Sequence, residues 1–127
     1  MSDCPCGSLL PYEECCGVLH SGEPAPTAEA LMRSRFAAFA LGRDDYLLTS
    51  WHPSTRPAAL DLDPDVVWRR LQIVDTVPGG PDDDEGIVEF RASYRDASGA
   101  GLLHERSRFV RVDARWVYLD GTTTLTP

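Results

Sequence analysis

Residues 87–95 read Ile87-Val88-Glu89-Phe90-Arg91-Ala92-Ser93-Tyr94-Arg95. Val88, Phe90, Ala92 and Tyr94 alternate with Glu89, Arg91, Ser93 and Arg95. A period of two marks a strand with one face on a core and the other in water. The same period extends to either side. Trp68–Val77 reads as a strand with Leu71, Ile73 and Val77 on one face, and Leu102–Val112 and Arg115–Asp120 as two more. The connections carry turn chemistry. Val77-Pro78-Gly79-Gly80-Pro81 with the acidic run Asp82–Glu85 forms a solvated loop, Asp96–Gly101 a hairpin connection, and Asp113-Ala114 a tight turn. Gly121 to Pro127 reads as a polar tail.

Upstream of Trp68 the period is helical. Leu31, Met32, Phe36 and Phe39 form one apolar stripe, with Thr27 as N-cap, Glu29 in the first turn and Gly42 at the stop. Arg33 and Arg43 lie off that stripe. A short helix is expected from Asp44 to Trp51, with Tyr46, Leu47 and Trp51 inward, ended by Pro53 and Pro57. Asp63-Pro64-Asp65 reads as the start of one further helical turn. Helices followed by an antiparallel meander define an α+β fold, with the helices on one face of a curved sheet.

Composition narrows the function. The chain has 127 residues, 43% hydrophobic and 25% charged, enough for one modest core. Its formal charge is −8, and all twelve basic residues are arginine. Nucleic acid is disfavoured as a partner, because phosphate contacts need a basic cluster. An anionic membrane surface is disfavoured for the same reason. No secretory signal and no run of membrane-spanning length is visible, so the expected location is cytoplasmic.

The cysteines are Cys4, Cys6, Cys15 and Cys16, all within the first sixteen residues. A Cys-x-Cys pair followed by a Cys-Cys pair supplies four soft ligands to one tetrahedral zinc ion, and a full shell of this kind is structural. Gly7 and Gly17 permit a knuckle backbone, and Tyr12 can cover one side. Paired disulfides and redox-active thiols are the alternatives. The first is disfavoured by strain between adjacent cysteines and by a reducing compartment. His20 lies near the knuckle and could be a spare ligand, but four cysteines already fill the shell. The expected division is a zinc knuckle over residues 1–22 and an α+β domain over 23–127.

Cys4-Pro5-Cys6-Gly7-Ser8, Tyr12 and Cys15-Cys16-Gly17 resemble the SEC-C motif, the zinc knuckle found at the C-terminus of many SecA proteins. That motif often carries Gly-Lys-Lys-Tyr-Lys-Lys between its cysteine pairs. Here Leu9-Leu10-Pro11-Tyr12-Glu13-Glu14 stands instead, so the basic face for an acidic partner such as SecB is missing, and SecB is not an expected partner. Ala28–Phe36, Asp45-Tyr46-Leu47, Thr49–Pro53, Glu105–Phe109 and Trp116–Gly121 are similar to the YchJ family of uncharacterised bacterial proteins. The resemblance implies a domain like that of nuclear transport factor two, a cone of helices against a curved antiparallel sheet.

Such a cone can enclose a pocket. Alternation in the third strand puts Leu103, Glu105, Ser107 and Phe109 on the inner face. Glu105 is then a candidate acid/base, or else the partner of a buried arginine, Arg33 or Arg35. His52 is a second acid/base candidate, or a hydrogen-bonded helix cap. Trp51, Tyr94, Ser107 and Phe109 are the candidate pocket residues. With no assembled catalytic group in view, a zinc-stabilised binding or adaptor module is the first functional expectation. A small hydrolase- or isomerase-type pocket enzyme is the second. A homodimer through the open sheet face is the third.

Overall fold

A computed structural model describes residues 4–7, 10–59, 65–77 and 83–126, with side chains up to residue 122. After a single 3₁₀ turn at Tyr12–Glu14 come helices α1 (Cys16–His20), α2 (Ala28–Leu41) and α3 (Asp44–Thr49). Four strands follow, β1 (Val67–Val77), β2 (Glu85–Asp96), β3 (Gly99–Val112) and β4 (Arg115–Thr126). They pair in the order β1-β2-β3-β4, antiparallel throughout. The α+β class and the helix-then-meander order are as expected.

The boundaries are set by ladder bonds more than by composition. The segment read as a polar tail is the second half of β4, pairing with β3 from Ser107↔Gly121 to Leu102↔Thr126. Threonine is a good strand former, and polarity alone hid a strand whose partner lies about twenty residues away. The connection expected at Asp96–Gly101 shrinks to Ala97-Ser98, because β2 runs to Asp96 and β3 starts at Gly99. There the Asp96 carboxylate accepts the Ser98 N–H at 2.8 Å. The Asp113-Ala114 turn forms as read, with both residues at positive φ (50° and 66°), the backbone of a type I′ hairpin. α3 stops at Thr49, short of Trp51. Trp51 instead bridges to Tyr118 of β4, where the Tyr118 N–H donates to the Ser50 carbonyl and the His52 N–H to the Tyr118 carbonyl. The helical turn expected at Asp63-Pro64 and the glycine-rich part of the β1–β2 loop lie outside the described residues. Glu85, read as loop, opens β2.

α2 lies across the sheet. Thr27 Oγ1 caps its N-terminus by accepting the Ala30 N–H, and Gly42 ends it at φ 73°. Leu31, Met32 and Phe36 pack with Leu71, Val88, Phe90, Ala92, Phe109 and Trp116 in the main core. The inward faces of β2 and β3 are the predicted ones, Val88, Phe90 and Ala92 against Ser107 and Phe109. The stripe is not the whole of the buried surface of α2, however. Ser34, Arg35, Ala37 and Ala38 are buried as well, Ala37 because the cysteine segment packs on it and Arg35 on the side of Leu47 and Ser50.

Two glycines make room for side chains of the neighbouring strand. A Cβ on Gly121 would stand 2.5 Å from Glu105 Oε2, and one on Gly101 would run into the Tyr94 ring paired opposite it. The outer face of the sheet is a lattice of charge. Glu89 holds His104 at 2.7 Å and Arg106 at 3.0 Å, and Arg108 grips Asp120 through two bonds of 2.6 and 2.5 Å.

Candidate metal centre and cavity

The backbone of residues 4–7 and 10–16 brings the four cysteines around one point. The Cys4 N–H donates to the Leu10 carbonyl at 2.8 Å, and the Gly7 N–H closes a turn on the Cys4 carbonyl at 3.1 Å. Gly7 sits at φ 86°, where a side chain would be strained. The 3₁₀ turn then reverses the chain, and the Cys15 N–H bonds the Tyr12 carbonyl at 3.0 Å. Gly17 is needed for contact, since a Cβ there would stand 2.7 Å from the Tyr12 carbonyl oxygen and 3.0 Å from its ring.

All four Sγ atoms lie within 4.8 Å of one another, with Cys6–Cys15 at 3.6 Å and Cys15–Cys16 at 4.0 Å. A tetrahedral ion with Zn–S bonds near 2.3 Å would set its sulfurs about 3.8 Å apart. All four thiols are free of disulfides. Cys4, Cys6 and Cys16 are buried, and Cys15 is partly exposed. Hydrogen bonding with Cys6, and then burial, pushes the Cys16 thiol well up from its ordinary range. Burial does the same to Cys4. Cys4 and Cys16 thus hold their protons until a cation offsets the thiolate charge. The cluster could therefore bind a metal, and its all-sulfur donor set suits a soft tetrahedral ion.

Three contacts tie this knuckle to α2. Ala37 packs against Cys4, Cys6 and Cys16. Arg33 donates from Nη1 to the Cys6 carbonyl at 3.0 Å and from Nε to Glu29 at 3.0 Å. His20 donates from Nε2 to the Ser34 carbonyl at 2.8 Å, which leaves Nδ1 to accept the Tyr12 hydroxyl at 2.6 Å. Both ring nitrogens of His20 are thus in use, so the spare-ligand expectation is replaced by a structural one. Burial lowers the His20 pKa. Tyr46 continues the chain by donating to Ser34 Oγ at 2.7 Å, while Ser34 Oγ donates to the Leu31 carbonyl.

On the other side of α2 a cavity of about 180 Å³ opens between helix and sheet. Met32, Phe36, Phe39, Trp68, Phe90 and Leu103 form apolar walls. Its polar lining comes from Arg35, Glu105, Trp51 and Tyr118. Arg35 is 3% exposed. Its Nη1 donates to the Leu47 carbonyl at 2.8 Å and to Ser50 Oγ at 2.7 Å, and its guanidinium stacks 4.7 Å from Tyr118 and 5.0 Å from Trp51. Burial brings its pKa down to about 10, partly countered by Tyr118, Tyr46 and Glu105, so it remains a cation at neutral pH. Glu105 Oε2 accepts from the Ser107 hydroxyl and from the Tyr118 hydroxyl at 3.2 Å. Burial and then Glu105 raise the Tyr118 pKa, which keeps that hydroxyl a donor.

The candidate pocket residues separate accordingly. Trp51 and Glu105 line the cavity. Tyr94, Ser107 and Phe109 do not: Tyr94 stacks on Trp68 at 5.4 Å and fills the space above Gly101, while Ser107 and Phe109 are completely buried. His52 is outside the lining too, its Nδ1 accepting from the Ser54 N–H at 3.0 Å and bonded to its hydroxyl at 2.7 Å. It closes a turn after α3, whose C-cap is Ser50. Arg33, proposed as a partner for Glu105, belongs to the knuckle instead. Arg35 as a wall residue is not derivable from its own stripe. The available signal was its place beside Phe36 and Phe39, read together with Glu105 on an inward strand face.

A knuckle of four cysteines on a helix that also backs a cone-like cavity defines a SEC-C protein with a domain like nuclear transport factor two. Residues 27–121 match the family model described as the YchJ middle NTF2-like domain. The chain is 59% identical to a UPF0225 protein of Streptomyces coelicolor over 93% of each chain. It is 52% identical to another of Corynebacterium glutamicum, over 93% of this chain and 94% of that one. This chain belongs to the YchJ family. Among solved structures it resembles a SEC-C motif containing protein from Rhodopseudomonas palustris, with a TM-score of 0.82 and 32% identity over 95% of this chain and 98% of that one. A SEC-C motif containing protein from Psychrobacter arcticus gives a TM-score of 0.76 and 27% identity, over 100% of this chain and 85% of that one.

Proposed function

We propose that this protein is a zinc-stabilised binding module whose cysteine knuckle is structural and whose ligand site is the cavity beneath α2. The observation that carries the metal half is the convergence of four sulfurs at near-tetrahedral spacing, with no other donor type grouped with them among the described residues. A closed sulfur shell leaves no position for a reacting water, so the ion's contribution is to hold the knuckle together and brace α2. The cavity supports the binding half: concave, mostly aromatic, with few polar groups. Acid–base catalysis is the weaker reading, because Glu105 already accepts from Ser107 and Tyr118, and His52 is committed to Ser54. The acidic Glu13 and Glu14, both exposed, speak against an acidic partner at the knuckle.

Metal analysis of purified protein tests the first half. One zinc per chain, with four thiols that react only after chelation or denaturation, is the expected result. Absence of stoichiometric metal with four readily titrated thiols would overturn it, and a stoichiometric iron content would replace zinc by iron.

A further inference from the structure

Arg35 is almost fully buried, yet both of its hydrogen bonds among the described residues leave from Nη1. Its Nε and Nη2 make none among the described residues. Trp51, another wall of the same cavity, has a buried indole Nε1–H without a partner among those residues. Buried donors are nearly always paired in folded proteins, and although Trp116 Nε1, outside this cavity, is unpaired as well, the Trp51 indole and the remaining Arg35 nitrogens around one cavity point to an occupant that accepts hydrogen bonds.

The walls restrict that occupant further. Phe36, Phe39, Trp68 and Phe90 favour a flat aromatic molecule. A volume of about 180 Å³ is close to the engineered apolar cavities of roughly 150 Å³ that take up benzene, so one substituted ring fits and two do not. Charge decides the rest. Arg35 and Glu105 are the two charged groups in the lining, and they balance each other. An anionic ligand would gain Arg35 but lie near Glu105, and a cationic one would meet the reverse.

We infer that the cavity binds a neutral, single-ring aromatic molecule whose carbonyl-type oxygen accepts from Arg35. This rests on the reading of the cavity as a ligand site and names the ligand class for it. Arg35 acts as the anchor and the aromatic walls as the sandwich. Glu105, held by Ser107 and Tyr118, keeps the buried guanidinium charge in balance without meeting the ligand's acceptor.

The test is a titration of the zinc-loaded protein with benzamide, benzoate and toluene, followed through the indole N–H resonances of Trp51 and Trp68. Benzamide is expected to bind tightest. Arg35→Met is expected to weaken benzamide roughly tenfold to a hundredfold, the range for a bond to a charged donor, and to leave toluene unchanged. Arg35→Lys, which keeps the charge but not the fork, is expected to fall between. Should either variant fail to fold, the ranking of the three probes on the unaltered protein decides. Toluene binding as well as benzamide overturns the polar anchor but leaves the cavity as a ligand site. Benzoate binding tighter than benzamide overturns the neutral assignment. Failure of all three to shift either indole overturns both this inference and the ligand-site reading.

Discussion

The two faces of α2 carry two kinds of construction. On one, Arg33, Ser34 and Ala37 meet a knuckle whose ligands come from thirteen consecutive residues. On the other, Met32, Arg35, Phe36 and Phe39 meet a cavity whose opposite walls come from β1, β2, β3 and β4. The knuckle has little apolar volume and needs strong directional bonds. The cavity side rests on ordinary core packing from residues far apart in the chain. One helix therefore carries both the cysteine knuckle and one wall of the cavity.

Breaking the metal side should have the largest effect. Chelation, or Cys16→Ser, is expected to cost at least about 3 kcal/mol and lower Tm by roughly 10 °C, read by calorimetry. If Tm stays unchanged after verified metal loss, the knuckle does not brace α2 and the comparison fails. On the cavity side, Phe36→Ala should cost about 3–5 kcal/mol as a large-to-small change in the core. Its denaturant midpoint should fall while the metal content holds, which would separate the two faces.

Close approaches come next. Gly121→Ala is expected to cost about 1–3 kcal/mol by driving a Cβ into the Glu105 carboxylate. Gly17→Ala belongs in the same range but should weaken metal retention as well, since it separates Tyr12 from α1.

His20 sharpens the picture through pH. Burial holds its folded pKa below the unfolded value, with Arg43 lowering it further and Asp45 and the Ser34 carbonyl opposing. Tyr12 and Tyr46, the rings against it, are neutral in that range. A His kept neutral in the fold contributes stability above about pH 6.5, lost as pH falls toward its folded pKa. His20→Asn should flatten that part of the stability profile, and an NMR titration midpoint at or above 6.5 would rule this out. The smallest effect is expected at the exposed Arg108–Asp120 pair. Asp120→Asn should change stability by no more than about 1 kcal/mol, less at high salt.

Legibility followed the range of the interactions. The convergence of the four cysteines was readable because their spacing lies within one short segment. The inward faces of β2 and β3, including Glu105 and Ser107, were readable because alternation is local. The second half of β4 was not, since Thr122–Thr126 become a strand only through bonds to Leu102–Arg106 across the hairpin. Arg35 also escaped a reading by stripe, as a cation in a helix is drawn outward unless the fold supplies carbonyls and aromatic faces around it. The glycines at 101 and 121 look like turn residues in the sequence and prove to be spaces for Tyr94 and Glu105.

The sequence by itself determined the sulfur shell, the helix-then-meander order and which strand faces turn inward, because spacing, capping and period act over a few residues. Only the tertiary structure decided that α2 is buried on two faces, that His20 and Arg33 serve the knuckle, and that Arg35, Trp51 and Glu105 share one cavity. Those facts depend on which distant segments are brought together, and no local pattern encodes that.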